Sequence, residues 1–422
     1  MEEAVTGTRL VPVRRRALPT PEADPARRFR LVRAAVTISS LGDGTRFVAL
    51  PLLATSLTAD PRQVAAVSLA EQLPWLLLGL TAGALADRLD RRRLLWAVDA
   101  ARAVVVGALA MVVATGAATV PLLVVAGFLL GCGQILYNGA WSGMVPALVE
   151  PSGLSRANAR LQATGQIGDT LLGTPLGAVL FGIGATLPFV VDAGSFAVAA
   201  ALVALIAGDF RPRKAAPTEG LPRKLRHDVA EGIRWLWRHR RLRRLCLVTG
   251  AANAVGTGLV AILVLYAGRL LGLDGLGFAL LVASYAVGGV LGATVTPRLT
   301  SRFGPARVLR PATPAAALTV VGAGSATSGA VAGLCVAGYG AASLVWSVAM
   351  VTLRQTLLPT ELLGRVTMAY QMAAGGSGAL GAVAAGFTAH LAGVRAPFFI
   401  GAALLLAATA VLTGSTPPPR AP

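Results

Sequence analysis

Apolar runs of about 20 residues recur along the whole chain, and each is long enough to cross a ~30 Å hydrocarbon layer as a helix. They fall near residues 31–57, 62–86, 94–116, 119–148, 158–184 and 186–208. After a polar gap they resume near 244–268, 273–297, 306–327, 329–353, 363–390 and 394–414. Of the 422 residues 55% are hydrophobic and only 14% are charged, against about 25% charged in an ordinary soluble domain. That balance excludes a soluble enzyme, a disordered chain and a disulfide scaffold. Inside lipid a helix satisfies its own backbone hydrogen bonds, so the expected fold class is an all-α polytopic membrane protein with twelve transmembrane helices.

The formal net charge of +19 raises the question of nucleic acid. The basic residues answer it, because they lie in short clusters between apolar runs. Counting Lys and Arg by side gives 33 in the tail up to Arg33, the connections after spans 2, 4, 6, 8 and 10, and Arg420. The opposite side holds 3, namely Arg62, Arg269 and Arg395. By the positive-inside rule this places both termini in the cytoplasm and the chain in the cell (inner or plasma) membrane. No nucleic-acid partner is expected; the bilayer itself is one. Residues 1–28 are polar and basic, with no short apolar segment of a signal peptide. Cys132, Cys246 and Cys335 sit far apart inside apolar segments and suggest neither a disulfide framework nor a metal site.

The expected organisation is a cytoplasmic tail (1–28), a six-helix bundle (29–208), a basic connector (209–243), a second six-helix bundle (244–414) and a short tail (415–422). Within the connector, Leu225, Val229, Ile233, Leu236 and Trp237 predict an amphipathic helix with a basic opposite face. Displacing the second half by 209 residues sets Gly83-Ala84 on Gly292-Ala293, as in a parallel duplication. Gly376-Ser-Gly378-Ala-Leu-Gly381 matches GxGxxG but lies in an apolar helix with no strand before it, so it is read as helix packing. There is no GxxxxGK[ST] phosphate loop, and His227, His239 and His390 have no metal-ligand spacing. No cofactor and no metal is expected, and no polar catalytic cluster suggests an enzyme.

The run Gly83-Ala-Leu-Ala-Asp87-Arg88-Leu-Asp90-Arg91-Arg92-Arg93 resembles the loop 2–3 signature of the major facilitator superfamily. Three further stretches are similar to the branch of the enterobactin exporter and the macrolide efflux proteins: Ala140–Ala159, Glu231–Arg241 and Arg354–Val366. The resemblance covers roughly residues 28–414. It implies two six-helix bundles around a central cavity and alternating access. Gly83, Asp87, Arg88, Arg91 and Arg92 would form the loop that latches the halves in the outward-facing state. Asp90 stands where glycine is usual, and the second-half copy has Thr296 in place of the Asp.

An ionisable group within a span is a functional candidate by default. Asp43, Glu71, Asp169 and Asp192 lie well inside spans. Asp43 and Asp169 fall near mid-bilayer, and Arg46 follows Asp43 by three residues on the same helix face. The resemblance places spans 1, 2, 4 and 5 at the cavity, so Asp43, Arg46, Glu71 and Asp169 are the proton-coupling candidates. A static Asp43–Arg46 brace is the alternative. Asp192 reads as a satisfied polar contact on a peripheral helix. Asp99 and Arg102 lie one turn apart and are expected to pair with each other or with the loop arginines.

Gly168, Gly173, Pro175 and Gly177 resemble an antiporter motif of exporters, with glycines expected to pack the fifth helix against the other half. Substrate-cavity candidates are Gln134, Tyr137, Asn138 and Trp141 on the fourth span, with Asn253, Tyr285, Tyr339, Trp346, Tyr370 and Gln371 in the second half. Acids on one wall facing amides and aromatics on the other suit a large amphipathic or cationic organic molecule. The resemblance thus implies a monomeric, proton-coupled exporter of a drug, siderophore or secondary metabolite. A facilitator or importer of a metabolite or lysolipid, or a transport-inactive sensor, are the alternatives.

Overall fold

The computed structural model describes residues 25–86, 89–148, 160–161, 164–206, 210, 234, 237–357 and 360–413. In the first half the helices are α1 (Pro25–Leu57), α2 (Pro61–Ala86), α3 (Arg91–Ala114), α4 (Val120–Leu148), α5 (Thr174–Ile183) and α6 (Leu187–Ala204). The second half holds α7 (Arg240–Leu271), α8 (Gly275–Phe303), α9 (Pro305–Ser325), α10 (Gly329–Leu357), α11 (Thr360–Ala392) and α12 (Ala396–Thr413). Seven of these (α3, α4, α6, α7, α8, α10 and α11) contain a stretch long and apolar enough to cross a membrane on its own. The connector expected over 209–243 lies mostly outside the described residues.

Short polar signals set the helix ends. Asp90 precedes α3 in extended backbone and accepts hydrogen bonds from the Arg92 and Arg93 amides at 3.0 and 3.2 Å. The residue replacing the usual glycine of the loop signature is therefore an N-cap. Asp274 caps α8 through the Gly277 amide at 2.8 Å. α9 opens on Pro305, whose missing N–H costs nothing in a first turn.

Helix pairing repeats from one half to the other. In the first half α2 packs on α4, α3 on α4 and α6, and α1 on α5 and α6. In the second half α8 packs on α10, α9 on α10 and α12, and α7 on α11 and α12. Each contact reappears six helices later, as a parallel duplication requires. The halves meet through α2 against α11 and α5 against α8, again a matched pair.

Contact between the halves is well developed at the end where α1 gives way to α2. Ala65, Ala261 and Ala382 form a small-residue cluster joining α2, α7 and α11, with Leu69 packed on it. Small side chains let backbones approach where dispersion, not the hydrophobic effect, holds helices together. Arg269 at the end of α7 donates to the Ala59 carbonyl, and His390 Nδ1 of α11 lies 3.4 Å from Asp60 Oδ1. Arg62 grips the Asp60 carboxylate at 2.8 Å and holds it down to about 2, so Asp60 stays ionised at neutral pH. These contacts tie the two halves together at this end.

Before α5 the chain forms a π-helical turn over Ile167–Gly173. The Thr174 amide bonds the Asp169 carbonyl, five residues back, and Pro175 follows with no amide hydrogen to give. Gly44 of α1 lies directly against the same Asp169 carbonyl, where an added Cβ has no room. Gly44→Ala is therefore expected to destabilise the fold by about 1–3 kcal/mol, an overpacking cost, seen as a lowered unfolding temperature in detergent. Gly182→Ala, with nothing within 4 Å of its new methyl group, is expected to leave that temperature unchanged or slightly raised through helix propensity.

Candidate functional site

Arg46 is the centre of the charged interior. Its Nη2 bonds Asp43 Oδ1 on the same helix at 3.0 Å, the contact that i,i+3 spacing favours. Its Nη1 bonds Glu71 Oε1 of α2 at 2.7 Å. Its Nε lies 3.0 Å from Asp192 Oδ2 of α6, as an ion pair without an aligned hydrogen bond. Three carboxylates from three helices thus surround one guanidinium that is 12% exposed, with Glu71 at 27% and Asp192 at 0%.

A cavity of about 570 Å³ opens beside this cluster. Glu71 and Asp169 border it from the first half, with Phe47, Gln72 and Gln166. Its other wall carries Asn253, Tyr285, Tyr339, Ser343, Trp346 and Ser347. The Tyr285 and Tyr339 rings are 5.9 Å apart and tilted by 43°. The Trp346 indole N–H is buried without a partner. No Lys or Arg is among the lining residues, so the cavity has a negative wall and an aromatic, hydroxyl-rich wall. Asp43 and Arg46 stand behind Glu71 and do not line it.

Several sequence expectations change in three dimensions. Gln134 and Asn138 do not reach the cavity: Gln134 accepts from Arg102 Nη2 at 2.6 Å and donates to Asn138 at 3.1 Å. Tyr137 stacks on Trp141 with ring centroids 6.0 Å apart, and Arg102 lies 5.4 Å from the Tyr137 ring and 5.2 Å from that of Phe196. The polar stripe of α4 turns inward because α3 offers it a buried cation. Arg102 makes no hydrogen bond to Asp99, whose two carboxylate oxygens are buried without hydrogen-bond partners. Tyr370 is packed in the second-half core with its hydroxyl 3.3 Å from the Leu245 carbonyl.

The motif glycines of the fifth span also have a different neighbour. Gly168, Gly173 and Gly177 pack on α1 of their own half, against Ser40, Leu41 and Thr45. The fifth span still meets α8 of the other half, through both α5 and the π-helical turn. Of the loop 2–3 residues, Arg92 Nη2 bonds the Ala204 carbonyl at 3.0 Å, tying α3 to the end of α6. Arg91 opens α3 and Gly83 lies near the end of α2. Asp87 and Arg88 lie outside the described residues, as does the side chain of Gln371. The sequence reading left out Gln72, Gln166, Ser343 and Ser347; each is a polar residue inside a span, a signal too common to single them out.

A charge cluster at mid-span beside a cavity between two duplicated six-helix bundles is the architecture of a secondary transporter. The model of the family described as transmembrane secretion effector matches residues 24–420. The chain belongs to this family of major facilitator transporters. It is 28% identical over 387 residues to the multidrug efflux pump Tap of Mycolicibacterium fortuitum, covering 87% of this chain and 90% of the pump. In fold it is similar to the nucleoside transporter NupG, with a TM-score of 0.75 at 12% identity over 92% of this chain and 98% of that one. It is likewise similar to a bacterial homologue of the iron transporter ferroportin in the inward-facing state, with a TM-score of 0.74 at 17% identity over 92% and 98% of the two chains. The protein is therefore a multi-pass membrane transporter and not an enzyme.

Arg46→Met would leave three acids without their shared cation. A cost of about 3–5 kcal/mol is expected, as for any half-broken buried ion pair, read as a drop in thermal unfolding temperature in detergent. Glu71→Gln, which leaves Arg46 two partners, is expected to lower it much less.

Proposed function

We propose that this transporter exports an amphipathic organic cation from the cell in exchange for protons, by alternating access of the cavity between α1, α2, the π-helical turn, and α7 to α10. The observation that carries the reading is the sharing of Arg46 by Asp43, Glu71 and Asp192, with Glu71 also facing the cavity. Three acids and one cation leave two negative charges uncompensated when all are ionised. Charges of one sign in a low-dielectric site repel strongly, so the site favours taking up either protons or a cationic cargo. The two loads are alternatives, and that exclusion is the basis of exchange.

Cargo chemistry follows from the walls. Glu71 and Asp169 offer negative charge, and Tyr285, Tyr339 and Trp346 offer ring faces suited to an organic cation. The free Trp346 N–H is a donor for an oxygen or nitrogen of the cargo. Similarity to a multidrug efflux pump supports export of drug-like compounds. The basic-residue asymmetry sets Asp60, Arg269 and His390 outside and both bundles' basic connections in the cytoplasm. In that orientation the end at which α2, α7 and α11 meet faces outward.

The test is transport in proteoliposomes that hold an internal pH dye, with ethidium as a first probe and macrolides and siderophores as further cargo. Cargo movement accompanied by opposite proton movement is expected in the wild type. Glu71→Gln and Asp169→Asn are each expected to lower the coupled flux at least tenfold. Cargo flux with no proton movement, unchanged in both variants, would overturn the antiport reading.

A further inference from the structure

We infer that Asp192 is a positioning residue of the charge-exchange site, the fixed counter-ion that keeps Arg46 compensated while Asp43 and Glu71 exchange protons and cargo. The inference rests on the antiport reading and extends it to a side chain that does not touch the cavity. Asp192 is fully buried and absent from the cavity wall. Its Oδ2 faces Arg46 Nε at 3.0 Å as an ion pair, and neither carboxylate oxygen has an aligned hydrogen-bond partner. Arg46 therefore divides its edges: Nη1 and Nη2 go to Glu71 and Asp43, both partly open, while Nε goes to a carboxylate no cargo can reach.

The packing is built to admit this acid. Gly42 of α1 lies opposite it, and an added Cβ there would stand 2.7 Å from Asp192 Oδ1 and would strike Ser195. Thr45 Oγ1, one turn on, donates at 3.2 Å to the Pro188 carbonyl of α6 and fixes the same interface. The charged groups around Asp192 are Asp43 and Arg46 of α1, Glu71 of α2 beyond Arg46, and Arg102 of α3, which is committed to Gln134.

The physical consequence concerns the loaded states. When Glu71 or Asp43 is neutralised by a proton, or drawn to a cationic cargo, Arg46 loses ionic partners in a site of low dielectric. A buried cation without compensation resists that loss. Asp192, out of reach of cargo and held 3.0 Å from Arg46 Nε, is the partner that Arg46 keeps, so the exchange at the other two acids proceeds without orphaning the guanidinium. Without its charge, Arg46 would be left with Asp43 and Glu71 alone and would release them less readily.

The experiment is the pH dependence of ethidium-driven proton movement in proteoliposomes for the wild type and Asp192→Asn, with ethidium binding measured in detergent without a pH gradient. The expected result is a half-maximal pH lower by about one unit, a tenfold higher proton demand, with ethidium bound less tightly because the site has lost one negative charge. A folded Asp192→Asn protein with an unchanged pH profile would reduce Asp192 to a structural contact. Should Asp192→Asn fail to fold, thermal unfolding of Arg46→Gln and Arg46→Gln/Asp192→Asn is compared. A double variant more stable than Arg46→Gln supports the coupling, and one no more stable refutes it. A wild type that moves ethidium without protons would defeat the antiport reading and this inference with it. A responsive wild type with an indifferent Asp192→Asn defeats the inference alone.

Discussion

A single guanidinium inside a membrane-spanning bundle sets the terms for the rest of the first half. An unpaired charge there is costly, and Arg46 is compensated from three directions by Asp43, Glu71 and Asp192. Each partner comes from a different helix or turn, so the ion cluster also fixes how α1, α2 and α6 stand to one another. Replacing such a cluster with well-packed apolar groups would often be neutral for stability.

The helix that bears Arg46 has two further faces. Gly42 brings α6 close enough for Asp192 to reach the guanidinium, and Gly44 admits the π-helical turn that carries Asp169. At both positions α1 is cut back to backbone, so that acids can be delivered from elsewhere. π-helical turns are frequent at functional sites, and this one leaves the Asp169 carboxylate at the cavity wall while its carbonyl is spent on the Thr174 amide.

Duplication supplies the scaffold, and divergence divides the chemistry. Helix pairing is repeated between the halves, yet the acids bordering the cavity come from the first half, and the second presents Asn253, Tyr285, Tyr339 and Trp346. The cavity therefore lies between unlike walls, with acids toward α2 and rings toward α8 and α10.

The sequence by itself determined the number and order of the helices, because apolar length and polar interruptions are local properties that a bilayer reads directly. Asp43–Arg46 pairing was legible for the same reason: three residues apart on one helix is a local geometry. Facing was not. Gln134 and Asn138 have the same polar stripe whether it looks into a cavity or toward Arg102, and only the packing of α3 on α4 decides which. The glycines of the fifth span announce close approach but not the neighbour, which is α1 of the same half. Asp192 was visible as an acid in a span, but its meeting with Arg46 joins residues 146 positions apart. That contact exists only once Gly42 has let α6 settle onto α1, a relation between surfaces that no periodicity along the chain encodes.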